Sequence, residues 1–168
     1  MKFEELLKTA IRMEEEGYDF YKQAETRTAN RTGKAMFSFL AEYEVHHKRL
    51  LEGLLKKVVP EARDLDIPLP KDKIKSVFAE ARAHMDTSAP ATADDIDALT
   101  FAMGKETESY KMYHEAARDA SDAKVKAMFE RMATEENQHY EILEQTRYYL
   151  KENQIWSIWE EGGPIEGG

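Results

Sequence analysis

The chain has 168 residues with 24 Lys and Arg against 33 Asp and Glu, a formal charge of −9 and a pI near 5.1, and it has no long basic run, which makes nucleic acid and anionic membrane surfaces poor partners. It contains no cysteine, which excludes disulfides, thiolate zinc sites, cysteine nucleophiles and cysteine-ligated iron centres within these residues. Glu4 and Glu5 stand where a signal peptide needs a basic start, and no segment approaches the ~18 apolar residues of a membrane span, so the expectation is one soluble, cytoplasmic domain.

Helical periodicity over residues 2–28 puts Phe3, Leu7, Ala10, Gly17, Tyr21 and Ala24 on one seam. After a turn at 28–33, a second helix over 33–59 carries Phe37, Leu40, Leu51, Leu54 and Val58. Residues 60–92 hold four of the five prolines and read as a crossover, within which Ile74, Val77, Phe78, Ala81 and Met85 predict a short helix over 71–85. A third long helix starts near Thr92 to Asp95 and runs to about Ala120 with Leu99, Ala102, Tyr113 and Ala116 on its seam. Ser121-Asp122 caps a fourth, reaching about 152 through Phe129, Met132, Leu143 and Leu150. The remaining tail, with Trp156 and Trp159 before a flexible glycine-rich end, reads as a flap docked on the bundle or as an oligomer contact.

A constant offset of 92 relates the two halves: Ala10, Tyr18, Tyr21 and Ala24 recur as Ala102, Tyr110, Tyr113 and Ala116, and Lys34-Ala-Met-Phe37 recurs as Lys126-Ala-Met-Phe129. This is the signature of a duplicated helix hairpin, hence an all-α four-helix bundle with a pseudo-twofold axis. At the same offset Glu14, Glu44 and His47 recur as Glu106, Glu136 and His139, and all six interrupt the apolar seam with polar groups. Glu44-x-x-His47 and Glu136-x-x-His139 each set a carboxylate and an imidazole side by side on one helix face. Four carboxylates converging in a core repel one another and lose hydration unless protons or cations neutralise them. Two divalent cations match their charge, and the donor set suits iron, with manganese or zinc as alternatives.

Glu14…Gly17-Tyr18-x-Phe20-Tyr21 with Glu44-x-x-His47, and Glu106…Tyr110-x-x-Tyr113 with Glu136-x-x-His139, resemble the rubrerythrin branch of the ferritin-like superfamily over roughly residues 3–150. The resemblance implies a ferritin-like di-metal bundle over 1–152, with 60–92 as its crossover and 153–168 as a tail. It makes Glu14, Glu44, His47, Glu106, Glu136 and His139 the ligands of two iron ions, and it brings reduction of hydrogen peroxide or dioxygen, or oxidation of Fe(II), as activities. Rubrerythrins proper add a four-cysteine rubredoxin module, absent here, so electrons would come from an external donor protein or from Fe(II) itself. They also carry a further Glu three residues after the third-helix ligand, where this chain has Ser109.

Tyr21 and Tyr113 are the candidate catalytic tyrosines, placed to orient a ligand carboxylate or to donate to the reacting oxygen. Tyr18 and Tyr110 fit that role and a plain core role equally. Glu15, Glu16, Glu42, Glu108 and Glu135 lie off the seam and are read as solvated, and His46, about 100° round the helix from His47, as exposed. The apolar tail predicts at least a homodimer, with exchange of helix hairpins between chains as an open alternative.

Overall fold

The protein, in a computed structural model, is described over residues 2–83, 91–153, 156–160 and 163–167. Helices α1 (Phe3–Arg27) and α2 (Arg31–Leu55) form one antiparallel hairpin, and α4 (Ala93–Asp119) and α5 (Ala123–Asn153) form the other. A 3-10 turn (Ala62–Leu65) and α3 (Pro70–Ala83) lie in the crossover, where α3 packs along α2 and touches α5. The bundle is all-α, as the periodicity predicts.

Local chemistry accounts for the helix starts. The Asn30 side chain accepts from the amides of Thr32 and Gly33 at 2.9 and 3.2 Å, so α2 begins two residues earlier than predicted. Thr92 and Asp95 form a reciprocal capping box at the head of α4, and Asp122 Oδ1 accepts from the amides of Lys124 and Val125 at the head of α5. Such caps satisfy amides that would otherwise lack acceptors, each typically contributing about 1 kcal/mol.

Two apolar clusters fill the bundle. One gathers Tyr21, Phe37, Leu40, Ile74, Phe78, Leu99 and Leu143, and the other gathers Leu7, Leu51, Tyr113, Met128, Phe129 and Met132. Along every long helix the two are separated by the Glu and His positions, so a polar layer crosses the middle of the core. The crossover helix contributes Ile74 and Phe78 to the first cluster, as its spacing predicts; the Ala81 side chain and Met85 lie outside the described residues.

Three expectations are corrected. Phe3 is half exposed and meets Phe129 only edge-on, with ring centroids 6.4 Å apart, because it is the first residue of α1, at the end of the helix. Val58 is 63% exposed rather than on the seam, because α2 stops at Leu55. There Lys57 adopts φ 63°, its amide donates to Leu54 O and the Val58 amide donates to Gly53 O, closing a Schellman motif that turns the chain out of the helix. Finally, the glycine-rich end is not simply flexible: β1 (Trp156–Glu160) pairs antiparallel with β2 (Gly163–Gly167), Ile158 opposite Ile165, and β2 runs beside α3. The side chains of Trp156 and Trp159 lie outside the described residues. No helix among the described residues is long and apolar enough to cross a membrane.

Lys57 pays a steric penalty that glycine would avoid, since its Cβ crowds the backbone at positive φ. Lys57→Gly should therefore raise the unfolding free energy by about 0.5–1 kcal/mol in urea titrations; a loss of stability would show that the lysine side chain contributes more than its backbone conformation costs.

Candidate metal centre

All six predicted residues converge in the polar layer within one chain, and each is at most 5% exposed. Glu14 comes from α1, Glu44 and His47 from α2, Glu106 from α4, and Glu136 and His139 from α5. They form two four-donor groups, Glu14/Glu44/His47/Glu136 and Glu44/Glu106/Glu136/His139, whose donor atoms lie within 4.8 Å of one another in each group. Glu44 and Glu136 belong to both.

The imidazoles enter with the same orientation. His47 Nδ1 lies 3.1 Å from Glu136 Oε1 and 3.6 Å from Glu14 Oε2, and His139 Nδ1 lies 3.1 Å from Glu136 Oε2 and 3.5 Å from Glu106 Oε2. Glu136 thus presents one oxygen to each ring. The tyrosines cross between halves: Tyr21 donates from α1 to Glu106 Oε1 on α4, and Tyr113 donates from α4 to Glu14 Oε1 on α1. Both are buried, so each fixes the outer carboxylate of the opposite hairpin. Tyr18 instead sits at the rim of a cleft between α1 and α2, and Tyr110 stacks on His114.

Gly17 lies one turn after Glu14. A Cβ there would collide with Glu44 Oε2 and stand 3.1 Å from Glu44 Cδ, so the missing side chain is the space that Glu44 occupies. At the repeat-related position stands Ser109, also buried.

Glu135 is the residue that sequence reasoning misplaced. It is 1% exposed, not solvated: its Oε2 lies 2.6 Å from His47 Nε2, and its Oε1 accepts from Arg131 Nε at 2.8 Å. The available signal was position, since residue 135 is one turn before His139 and its repeat counterpart, Tyr43, is an aromatic suited to a core. Glu15, Glu16, Glu42 and Glu108 are exposed as expected. His46 is half-buried rather than exposed, and its partial burial lowers its pKa; it belongs to neither donor group.

Burial and mutual repulsion govern the charges of the metal-free layer. Loss of hydration and the neighbouring Glu14 and Glu136 push Glu44 well above the ordinary carboxyl range. Burial, then Glu136, raises Glu106 to about 8. Burial alone would lower His139, but Glu106 and Glu136 outweigh it and bring the ring to about 9; His47 is raised in the same way by Glu136 and Glu14. Glu136, between two protonated rings, is held well below the usual range despite burial. Without metal, protons neutralise the layer, the role that two divalent cations would fill when bound.

The residues fit such ions. Six donors of a type suited to iron, manganese or zinc face one volume, both Nδ1 atoms point inward, and the buried Glu14 Oε2 has no hydrogen-bond partner of its own. The family model described as Rubrerythrin matches residues 5–147, nearly the whole helical region. No curated protein and no solved structure gives a significant match.

Two outcomes follow from this geometry. Glu106 binds its proton near pH 8 instead of 4.5 and His139 near 9 instead of 6.5, so both hold protons more tightly folded than unfolded. Their stabilisation is complete below the unfolded values and is lost as pH rises through the folded ones, whereas that of Glu136, with its lowered pKa, is constant above about pH 4.5. The Tm of chelator-treated protein should accordingly fall between pH 6 and pH 9, and saturating divalent metal should flatten that decline; a metal-free Tm that rises over the interval contradicts the assignment. Separately, Gly17→Ala should weaken divalent metal binding roughly tenfold or more by displacing Glu44, although alanine is the better helix former by ~1 kcal/mol. Unchanged affinity in equilibrium titrations would remove that role from Gly17.

Proposed function

The chain belongs to the rubrerythrin family of di-iron carboxylate proteins, and on that premise we propose that it is a non-haem di-iron oxidoreductase reducing hydrogen peroxide or dioxygen with electrons from an external donor protein. The observation that carries this reading is the pair of four-donor groups sharing Glu44 and Glu136. In that reading Glu14 and His47 would hold one ion and Glu106 and His139 the other, with Glu44 and Glu136 available to both. When bound, two Fe(II) ions would supply two electrons, enough to reduce hydrogen peroxide to water or to take dioxygen to the peroxide level.

The protein's own groups position, shield and gate. The hydroxyls of Tyr21 and Tyr113 stay protonated, because burial and then the adjacent Glu106 and Glu14 charges raise both pKa values well above 10, and they remain donors to those carboxylates. Fixing the outer carboxylates restricts how far two of the four carboxylate donors can move. The two apolar clusters exclude water on either side along the bundle axis. Laterally, a cleft of about 510 Å³ between α1 and α2 reaches Glu14 and Glu44 from solvent, with the Lys48–Glu15 ion pair of 2.7 Å at its rim. That opening supports access for a molecule as small as peroxide. These 168 residues contain no cysteine with which to build a rubredoxin centre, so re-reduction comes from elsewhere.

The same cleft favours a second reading, in which Fe(II) is the substrate and the protein a ferroxidase. Glu15, Asp19 and Glu52 line it with Glu14 and Glu44, five carboxylates against the two cations Lys48 and Arg49, an acidic balance that favours cations.

Anaerobic loading with Fe(II) followed by one pulse of H2O2 or O2 separates the readings. The peroxidase reading expects oxidation limited to the bound pair, its loss in Glu44→Ala or Glu136→Ala, slowing without loss in Tyr21→Phe or Tyr113→Phe, and sustained turnover only with an added donor. Oxidation of many Fe(II) per chain with mineral formation would establish the ferroxidase instead, and sustained peroxide consumption without any donor would refute the donor requirement.

A further inference from the structure

The internal repeat breaks down at the residues behind the two imidazoles. Positions 131 and 135, two turns and one turn before His139, hold Arg131 and Glu135; the equivalent positions before His47 hold Phe39 and Tyr43. Each pair backs the histidine of the opposite helix. Glu135 Oε2 lies 2.6 Å from His47 Nε2, while the Tyr43 ring meets His139 edge-on, with centroids 4.9 Å apart. His47 Nε2 therefore has a buried carboxylate acceptor, and the buried His139 Nε2 has no hydrogen-bond partner.

Both pairs are themselves braced. Arg131 donates through Nε to Glu135 Oε1 at 2.8 Å and through a terminal amine to the carbonyl of Ile67 at 2.6 Å, tying the carboxylate to the crossover just before α3. Tyr43 packs on Phe39 and donates to the carbonyl of Pro68 at 2.5 Å, which holds its ring but turns its hydroxyl to the backbone. One imidazole thus has a charged acceptor fixed by a guanidinium, and the other has only an aromatic wall.

We infer that Glu135, held by Arg131, is a positioning residue that makes the two metal positions unequal, with the His47/Glu14 position the tighter. A carboxylate accepting from Nε2–H fixes the tautomer that leaves the Nδ1 lone pair free, fixes the ring's rotation and increases the electron density offered to a cation. His139 receives none of these, so the same donor atoms bind less strongly on its side. Metal then loads in order, first beside His47 and then beside His139. This inference rests on the di-metal reading above.

Stepwise titration of the full-length, metal-free protein with Co(II) or Zn(II), followed by calorimetry and by Co(II) absorption, tests both and keeps them apart. Wild-type protein should bind two ions per chain with resolved constants; a total below two overturns the di-metal reading itself. His139→Ala should retain the tighter event and His47→Ala only the weaker one. Glu135→Gln, which keeps the shape but removes the charge, should weaken the tighter event by about 10–100-fold and leave the weaker within about threefold. Arg131→Gln, which leaves the carboxylate in place, should give a smaller loss at the same event and guards against a folding defect in the first variant. Two equal constants in the wild type, or an equal loss at both events in Glu135→Gln with unchanged helicity, would overturn the inference while leaving the di-metal reading intact.

Discussion

Four carboxylates in one buried layer are the constraint on which the rest of the molecule depends. Each ionised carboxylate taken from water into a protein interior costs several kcal/mol after relaxation, and each raises the cost of its neighbours. The protein meets this with protons on Glu44, Glu106 and both imidazoles when metal-free, and the same donors suit divalent ions. Hydrogen bonds from Tyr21 and Tyr113 satisfy one oxygen of each outer carboxylate without adding charge. The apolar clusters above and below compensate for the layer's cost through ordinary burial, each large side chain contributing on the order of 2 kcal/mol.

Duplication explains why the layer exists and why it is not symmetric. A hairpin repeated at an offset of 92 supplies each half with one lone Glu and one Glu-x-x-His pair. Packing two copies face to face brings six donors together without any long-range design. Divergence then acts around the ligands: Gly17 yields room for Glu44 of its own hairpin where the other half has Ser109, and Arg131 with Glu135 replaces the aromatic pair Phe39 and Tyr43. The first change alters room for a ligand of the same hairpin, whereas Glu135 reaches across to His47 of the other and so changes its partner's ligand rather than its own.

The crossover does more than return the chain. Ile74 and Phe78 of α3 complete one apolar cluster, and the carbonyls of Ile67 and Pro68 receive Arg131 and Tyr43, the two residues whose helices carry the groups behind the imidazoles. A segment that reads as a proline-rich connection is therefore part of the support for the polar layer. Its backbone carbonyls, having no helical partners, are free to accept these side chains.

Much of this was legible in the sequence because the governing rules are local. A period of 3.6 assigns Leu7, Leu40, Leu99 and Leu143 to the core, an i, i+3 spacing puts Glu44 beside His47, and the repeat identifies the matching set in the second half. Thr92 and Asp122 announce helix starts through side chains that reach only a few residues. What tertiary structure alone decided depends on groups distant in sequence: Tyr21 with Glu106 across 85 residues, Tyr113 with Glu14 across 99, and His47 with Glu135 across 88. Glu135 looked solvated because its own helix offers it only Arg131; the imidazole that accounts for its burial arrives from α2. Val58 looked buried because periodicity cannot register that Lys57 turns the backbone to positive φ two residues after the helix ends. Periodicity reports which way a side chain points from its own helix, and only the packing of helices determines what stands there to meet it.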